Sequence, residues 1–568
     1  MGLGKQIRGF GFFLSKRNKG KRPSFLKKRS KKLLLLLPLA AAAGPCGSVV
    51  IPTGIGLGDP DVPDGLNPLL ATSSYTLQVA ALLYRPLVWI GPTLHFDHDR
   101  SLAQAVEALD GDTRFRVTLK PWHWSDGGDV TADDVVFGFE RIGKLGTLYP
   151  AAGTGGVPGR IADVRAVDAH TVDFVMKAVT QPDWFTLNGL SLIYALPRHA
   201  WGDIDGGTMW RRQNDPALYK VSDGPFVLTD FKRDRYAALA PNPDYGGHAA
   251  SLARLVIVFP KGGNALHALE DGEIDMARVP YPLWDRMRHD RRFDAVILPE
   301  AYGYMVLMLN MKSAAAPFLR DVTVRRAMAQ AIDQKGIIRL VFRGYGHENH
   351  APAPAEPAGL EAPDAGAGLA HDPAAAAAAL SEAGWVPGAD GIRHRGAVRL
   401  AFTALGTDDP DGPEMQMLQI AQRNLRDVGI DMGLTAIPFA QKLERMYGDD
   451  ANWDAGTLDE TLPPFPDGMG TWNTRGNQNV ESFGDPRLDA LIRASVEQPG
   501  LDALFAYQRY AAQVQPGIFL PHGNQLILAA KRLHGIGEFA NALGYWSPEY
   551  LSVDDPACRG AASGGALP

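Results

Sequence analysis

Residues 114–119 (RFRVTL) alternate polar and apolar side chains with period two, the pattern of a strand with one face in a core and the other in water. Ser125, Asp126, Gly127 and Gly128 follow as a turn, because glycine supplies the positive φ that a tight reversal needs. Thr131 then stands as a helix N-cap, with Asp133 and Asp134 in the first turn opposing the helix dipole, and the helix is predicted to run to about Arg141. Farther along, Val324, Ala327, Met328, Ala331 and Ile332 recur at i, i+3, i+4, i+7 and i+8. This puts them on one helical face and leaves Arg325, Arg326 and Gln330 on the far side. Asp372 as cap, Pro373 at the first helical position and Gly384 past the end bracket a third, alanine-rich helix. Residues 351–370 are rich in Ala, Pro and Gly and read as a surface loop, and the segment from Pro556 as a frayed tail with nothing to bury. Strands alternating with amphipathic helices predict a mixed α/β chain.

Composition narrows the class. With 568 residues, 45% hydrophobic and 21% charged, the chain has material for several globular domains and is not disordered in the main. Its two cysteines, Cys46 and Cys558, lie near opposite ends and cannot build a disulfide scaffold or a thiolate zinc cluster.

Charge is unevenly distributed. Residues 1–32 hold 12 Lys/Arg and no acid, so beyond them 45 bases face 63 acids, a net of −18 inside the overall −6. The basic stretch runs into an apolar segment at residues 33–43, followed by Gly44, Pro45 and Cys46, the layout of a secretory leader. Eleven residues at 1.5 Å each cover about half of a ~30 Å hydrocarbon core, too short for a permanent span. A nucleic-acid arm has no reason to end in such a segment, so export is the better reading and no nucleic-acid partner is expected. Two fates for Cys46 stay open: acylation as a lipoprotein cysteine, with Pro45 where Gly or Ala is usual, or cleavage near Ala43 that leaves Cys46 to pair with Cys558.

Catalytic signatures are missing. There is no G-x-S-x-G elbow, and residues 153–160 (GTGGVPGR) lack the Lys-Ser/Thr of a phosphate loop and read as an ordinary loop. His347, Glu348, Asn349 and His350 have their histidines three apart rather than four, beside Gly346 and Pro352, and read as a solvated loop. His95, Asp97, His98 and Asp99 sit in a polar stretch, and acid pairs such as Asp449-Asp450 read as turns. No metal, cofactor or enzyme activity is expected. Several aromatics lie in turn-rich context (Trp122, Trp124, Trp184, Trp201, Trp453, Trp472, Tyr545, Trp546), suited either to a ligand cleft or to core anchoring.

An ordered series of short signatures resembles the extracellular solute-binding proteins of family 5, the oligopeptide, dipeptide and nickel class that feeds ABC importers. It begins with Leu66-Asn67-Pro68-Leu69 and residues 82–88 (LLYRPLV). Its most specific block is residues 115–140, FRVTLKPWHWSDGGDVTADDVVFGFE. It continues through Asp223-Gly224-Pro225-Phe226, Asn242-Pro243-Asp244-Tyr245, Gly272-Glu273-Ile274-Asp275, Leu309-Asn310, Ala383-Gly384-Trp385, Asn479 and Asp489-Ala490-Leu491-Ile492.

The resemblance implies a bilobal periplasmic-binding-protein-like α/β fold, two mixed lobes joined by a hinge. Lobe 1 is expected over residues 59–260 with a subdomain at about 96–165 and a return at 530–555, and lobe 2 over 261–529. The crossings are expected at residues 255–259 and 526–530. It also implies a carrier, periplasmic or extracellular and with a lipid anchor if Cys46 is acylated, that hands a peptide or similar polar solute to a permease and its ATPase. A secreted hydrolase, or a sensor on the same fold, stands as the alternative. In peptide-binding members an acid in a W-x-x-D segment of lobe 2 holds the ligand's α-amino group. Here the corresponding stretch after Trp453-Asp454 reads AGTLDETLPPFPDG, with Glu460 and Pro463 at the two key places, so Asp459 or Glu460 is the expected amine clamp. By segment position the other expected contacts are Thr72, Ser73, Ser74 and Tyr75 in lobe 1, and Trp453, Trp472, Asn473, Arg475, His522 and Asn524 in lobe 2.

Overall fold

The computed structural model describes residues 45–57, 61–260, 265–298, 302–353, 359–409, 412–448, 452–541, 543–555 and 558. The expected leader up to residue 44, the Asp449-Asp450 pair and most of the expected tail lie outside these residues.

Strand Arg114–Leu119 forms as its alternation predicts, burying Phe115, Val117 and Leu119. It joins Ala103–Leu109, Thr171–Met176 and Ile161–Asp168 in a four-stranded antiparallel sheet. The sheet of the expected subdomain therefore closes with a strand beyond residue 165. Helix Ala132–Leu145 starts where its cap predicts: the Thr131 N–H donates to Asp134 Oδ2 at 3.0 Å, and the helix runs four residues past the expected end, with Gly146 as its C-cap.

A second four-stranded sheet is ordered Ser48–Pro52, Arg254–Val258, Tyr236–Pro241, Phe226–Lys232, the first pair parallel and the rest antiparallel. The chain thus enters this lobe by Ser48, earlier than the expected residue 59. Late residues return to it: Arg85 pairs with Glu549, both side chains fully buried, and the Arg85 guanidinium lies 4.0 Å over the Trp89 ring.

The other half is built on a mixed five-stranded sheet, ordered Asp431–Ile437, Ala401–Thr407, Ala455–Thr461, Gly303–Leu309, Ile518–Leu520, and a three-stranded sheet with Gln525–Ala530 between Met276–Arg278 and Phe293–Leu298. Two mixed α/β lobes with an added sheet in the first make up the fold. Both expected crossing segments are strands set firmly within sheets, Arg254–Val258 in the first lobe and Gln525–Ala530 in the second. Asp275 ties the halves where they meet. Its N–H donates to Val50 O at 2.7 Å, its Oδ2 accepts from the Val50 N–H at 2.8 Å, and Arg532 donates to both carboxylate oxygens at 2.8 and 2.9 Å.

Helix Val322–Ala331 buries its apolar face as its period predicts, but Arg325 is buried too, contrary to the expected exposed face. Its guanidinium donates to the carbonyls of Leu319 at 2.9 Å, Val514 at 2.8 Å and Gln515 at 2.7 Å. Two of these lie at the end of helix Asp502–Val514, where carbonyls have no intrahelical partner and a cation is favoured. Helix Pro373–Glu382 begins on its expected cap, with Asp372 Oδ1 accepting from the Ala375 N–H at 2.8 Å. The segment expected as a surface loop instead buries Ala351, Ala353, Ala362 and Leu369.

Cys46 and Cys558 form a disulfide across 512 residues of sequence. Of the two fates open to Cys46 the structure records the pairing. Cys558, expected in a loose tail, is fixed by the same bond.

Candidate ligand-binding site

Antiparallel pairing of Ala455–Thr461 with Gly303–Leu309 sets Glu460 opposite Tyr304. The Tyr304 hydroxyl accepts from Trp472 Nε1 at 2.9 Å, and Phe519 stands edge-on to both rings, 5.3 Å from Tyr304 and 5.6 Å from Trp472. Thr471 Oγ1 donates to Glu460 Oε2 at 3.1 Å. Two expected contacts, Glu460 and Trp472, are thereby brought into one buried group.

That group is acidic. Burial raises the Glu460 pKa to about 7, the Thr471 hydrogen bond pulls against it, and the Asp459 charge adds to the rise. Glu481, fully buried, receives no hydrogen bond on either carboxylate oxygen from another of the described residues. Its pKa is pushed well above the usual carboxylate range, chiefly by burial and further by the charge of Glu460. Burial also raises the phenols of Tyr302, Tyr304, Tyr447 and Tyr507, and Tyr304 and Tyr447 feel both glutamates.

Beside this group the two halves of the chain touch. Asn188 Nδ2 donates to Phe465 O, and the Phe465 N–H donates to Asn188 Oδ1, both at 2.8 Å. Trp184 Nε1 donates to Asp467 Oδ2, the Gln181 N–H to Val496 O at 3.0 Å, and Arg160 lies 3.3 Å from Glu497. The glycine-rich stretch read as a bare loop has a place here. Gly155, with φ +58, lies so close to Asn188 that an added Cβ would stand 2.2 Å from its carbonyl oxygen. A single apolar cluster runs from the first-lobe sheets through Tyr304, Phe465, Trp472 and Tyr507.

The remaining expected contacts separate. Asp459 and Glu460 are neighbours on a strand and point to opposite faces, so they are not interchangeable clamps. Asp459 is exposed and lies 3.4 Å from His522 Nε2, while Glu460 faces inward. His522 pairs with His347 in a short antiparallel ladder and Asn349 is buried, so residues 347–350 are tied into the fold although His347 itself is exposed. Asn524 is held through its backbone, donating to Tyr345 O and accepting from the Tyr281 hydroxyl at 2.7 Å. Asn473 accepts from the Arg475 N–H at 2.9 Å and shapes a turn on which Arg475 is exposed. Trp453 is buried, and its indole N–H has no hydrogen-bond partner among the described residues. In the first lobe, Thr72, Ser73, Ser74 and Tyr75 are half-buried at the start of helix Ser74–Leu83. Ser73 caps it by accepting from the Thr76 N–H at 3.3 Å, and Thr72 donates to Asp64.

Most of the aromatics weighed as cleft or core are core. The indoles of Trp122, Trp201 and Trp546 donate to the buried carbonyls of Asp223, Leu218 and Ile55. Trp184 and Trp472 lie at or beside the contact between the halves. Sequence reasoning missed Glu481, Tyr304 and Asn188. For Glu481 a signal existed, an acid between Val480 and Phe483 just after the quoted Asn479.

A match to the family described as bacterial extracellular solute-binding proteins, family 5 Middle, spans residues 66–485. The chain belongs to this family. Among curated relatives of this family 5 chain, the oligopeptide-binding protein AppA of Bacillus subtilis is 23% identical over 504 residues, 84% of this chain and 87% of AppA. Among solved structures, the ABC transporter substrate-binding protein CtaP of Listeria monocytogenes has a TM-score of 0.75 at 20% identity, covering 90% of this chain and all of that one. NikZ of Campylobacter jejuni, solved with Ni(L-His), has a TM-score of 0.70 at 18% identity, covering 89% of this chain and 99% of that one. The family is described as solute-binding proteins and AppA as an oligopeptide-binding protein. Among the described residues no helix is long and apolar enough to cross a membrane.

Proposed function

We propose that this chain is the capture subunit of an ABC importer, taking a peptide or similarly sized polar solute between its lobes outside the cytoplasm and handing it to a permease driven by an ATPase. Lobe 1 is residues 59–260 joined by the edge strand at 48–52 and the return at 530–555; lobe 2 is residues 261–529. The observation that carries the reading is the clasp of Asn188 on Phe465 beside a buried group of acids and aromatics. Contacts that exist only when two lobes meet are the means by which a ligand shifts an open population toward a closed one. The hinge is assigned to the junction of Val50, Asp275 and Arg532, where the strand at 48–52, the start of lobe 2 and the return after residue 530 meet in short hydrogen bonds. AppA, described as binding oligopeptides, and NikZ, solved with a metal chelate, bracket the solute class.

Export follows from the basic leader and apolar segment of residues 1–43, and the Cys46–Cys558 bond suits an oxidising compartment. Native mass spectrometry of freshly purified protein tests the reading: one small polar solute retained per chain, displaced by added peptide or chelate, is expected. A chain that retains none and binds none of a mixed peptide and chelate library overturns it.

A further inference from the structure

Beyond residue 32 the chain carries 45 bases against 63 acids, so an average stretch of its surface is acid-rich. The second lobe holds an exception. Helix Tyr281–Met287 and the turn after it read, over residues 286–292, RMRHDRR, and all four arginines are exposed. Helix Gln334–Leu340 adds Arg339 and, just past its end, Arg343, both exposed. Packing brings the ends of the two helices to one place. The Tyr281 ring stands 5.3 Å from Phe342 and the Trp284 ring 6.1 Å from Tyr345, and Arg288 Nη1 donates to the Tyr345 hydroxyl at 3.4 Å.

Acids neutralise only part of this charge. Arg288 lies 3.4 Å from Asp285, and Arg292 lies 2.8 Å from Asp290 and 3.8 Å from Glu270. The side chains of Arg286, Arg291, Arg339 and Arg343 have no hydrogen bond or ion pair with another described residue. A solvated basic face accounts for arginines but not for what stands among them. Leu340, between Arg339 and Arg343, is 54% exposed, more than any other large apolar side chain among the described residues, while Val341 and Phe342 beside it turn into the core. Apolar surface held in water is unfavourable unless something covers it.

We propose that this face of the second lobe is where the protein rests on a phospholipid bilayer with anionic headgroups. Guanidinium forks match headgroup phosphates in paired, charge-assisted hydrogen bonds. A leucine flanked by arginines enters the headgroup region while the cations stay at the depth of the phosphates. The rest of the chain, net negative, is repelled by the same surface, so the patch also fixes which side of the molecule faces the membrane. The contact goes beyond capture of a solute: it holds the protein on the plane in which a permease lies, and it requires neither a lipid on Cys46 nor a bound solute.

Co-sedimentation with lipid vesicles tests the contact, using wild type, the double variant R339E/R343E, and L340S. The leader is itself basic, so the three proteins are compared after export, with the same N-terminus confirmed by mass spectrometry. Vesicles are phosphatidylcholine alone, or phosphatidylcholine mixed with phosphatidylglycerol. Wild type is expected to bind the mixed vesicles only, and less as salt is raised. R339E/R343E is expected to bind about tenfold less or weaker still, with a shallower salt dependence. L340S is expected to bind about fivefold less with the salt dependence unchanged, because it removes apolar burial and no charge. Wild type that ignores the mixed vesicles, or either variant binding as wild type does, overturns the contact. Binding confined to vesicles that also carry the permease overturns it too, and assigns the face to a protein partner instead. Solute affinity by calorimetry is expected unchanged in both variants, so loss of the lipid contact leaves the carrier reading standing. Circular-dichroism melts within a few degrees of wild type show that weaker binding is not unfolding.

Discussion

The side-chain amide of Asn188 and the main chain of Phe465, 277 residues apart in sequence, exchange two hydrogen bonds of 2.8 Å and so join the two halves of the protein at a buried point. Both groups of the amide are used, and both main-chain groups of Phe465. No other side chain of similar size offers a donor and an acceptor in that geometry except glutamine, which is one methylene longer.

Replacing Asn188 by Ala leaves the Phe465 N–H and carbonyl unpaired in the closed form, at about 1–3 kcal/mol. Closure and binding share that free energy, so solute affinity is expected to fall about tenfold, with the radius of gyration at saturating solute shifted toward the open form. Calorimetry and small-angle X-ray scattering on N188A measure the two effects. Unchanged affinity and compactness would remove the contact from the closing mechanism.

Gly155 is expected to be as sensitive as Asn188 although it makes no side-chain contact. A methyl group there stands 2.2 Å from the Asn188 carbonyl oxygen on a backbone with φ +58, so the turn carrying Asn188 must move. G155A should reproduce the weakened binding of N188A, and the double variant should add little to either, as for residues acting in one contact.

The Asp275 carboxylate serves Val50 and Arg532 together. D275A leaves the Val50 N–H and the guanidinium without it, and chemical denaturation is expected to show a loss of about 2–3 kcal/mol, near the value of a hydrogen bond to a charged group because Arg532 is partly exposed. D275N, which keeps an acceptor, should recover part of it.

Glu460 gives a pH dependence of definite sign. Its pKa is about 7 in the folded protein without solute, and it is near the ordinary 4.5 when unfolded. Between those values the folded state binds more protons, so stability of the solute-free protein falls as pH rises from about 5 to 8, by up to about 3 kcal/mol from this group. Melting curves at pH 5.5, 7 and 8.5 follow this trend, and E460Q should flatten it.

Peptide mapping without reductant should recover the Cys46 and Cys558 peptides as one cross-linked species. Reduction or C558S is expected to lower stability by about 2–4 kcal/mol, the usual contribution of a bond closing a long loop. Recovery of Cys46 carrying a lipid would show that the sulfur is used for anchoring instead.

Local pattern determined the elements. The period of residues 114–119, the cap at Thr131 and the Asp372-Pro373 start each depend on neighbours within a few positions, and each formed where predicted. An ordered run of such signatures was also enough to indicate the family, since order along a chain survives when individual positions do not. Tertiary structure alone decided the rest. Helical period placed Arg325 outside, and only the docking of another helix end, with its unpaired carbonyls, drew it in. Strand alternation separates Asp459 from Glu460 but does not say which face is buried; pairing with Tyr304 does. Asn188 and the Cys46–Cys558 bond take their roles from partners hundreds of residues away. No local periodicity records such partners, because they are chosen by how two separately folded surfaces meet.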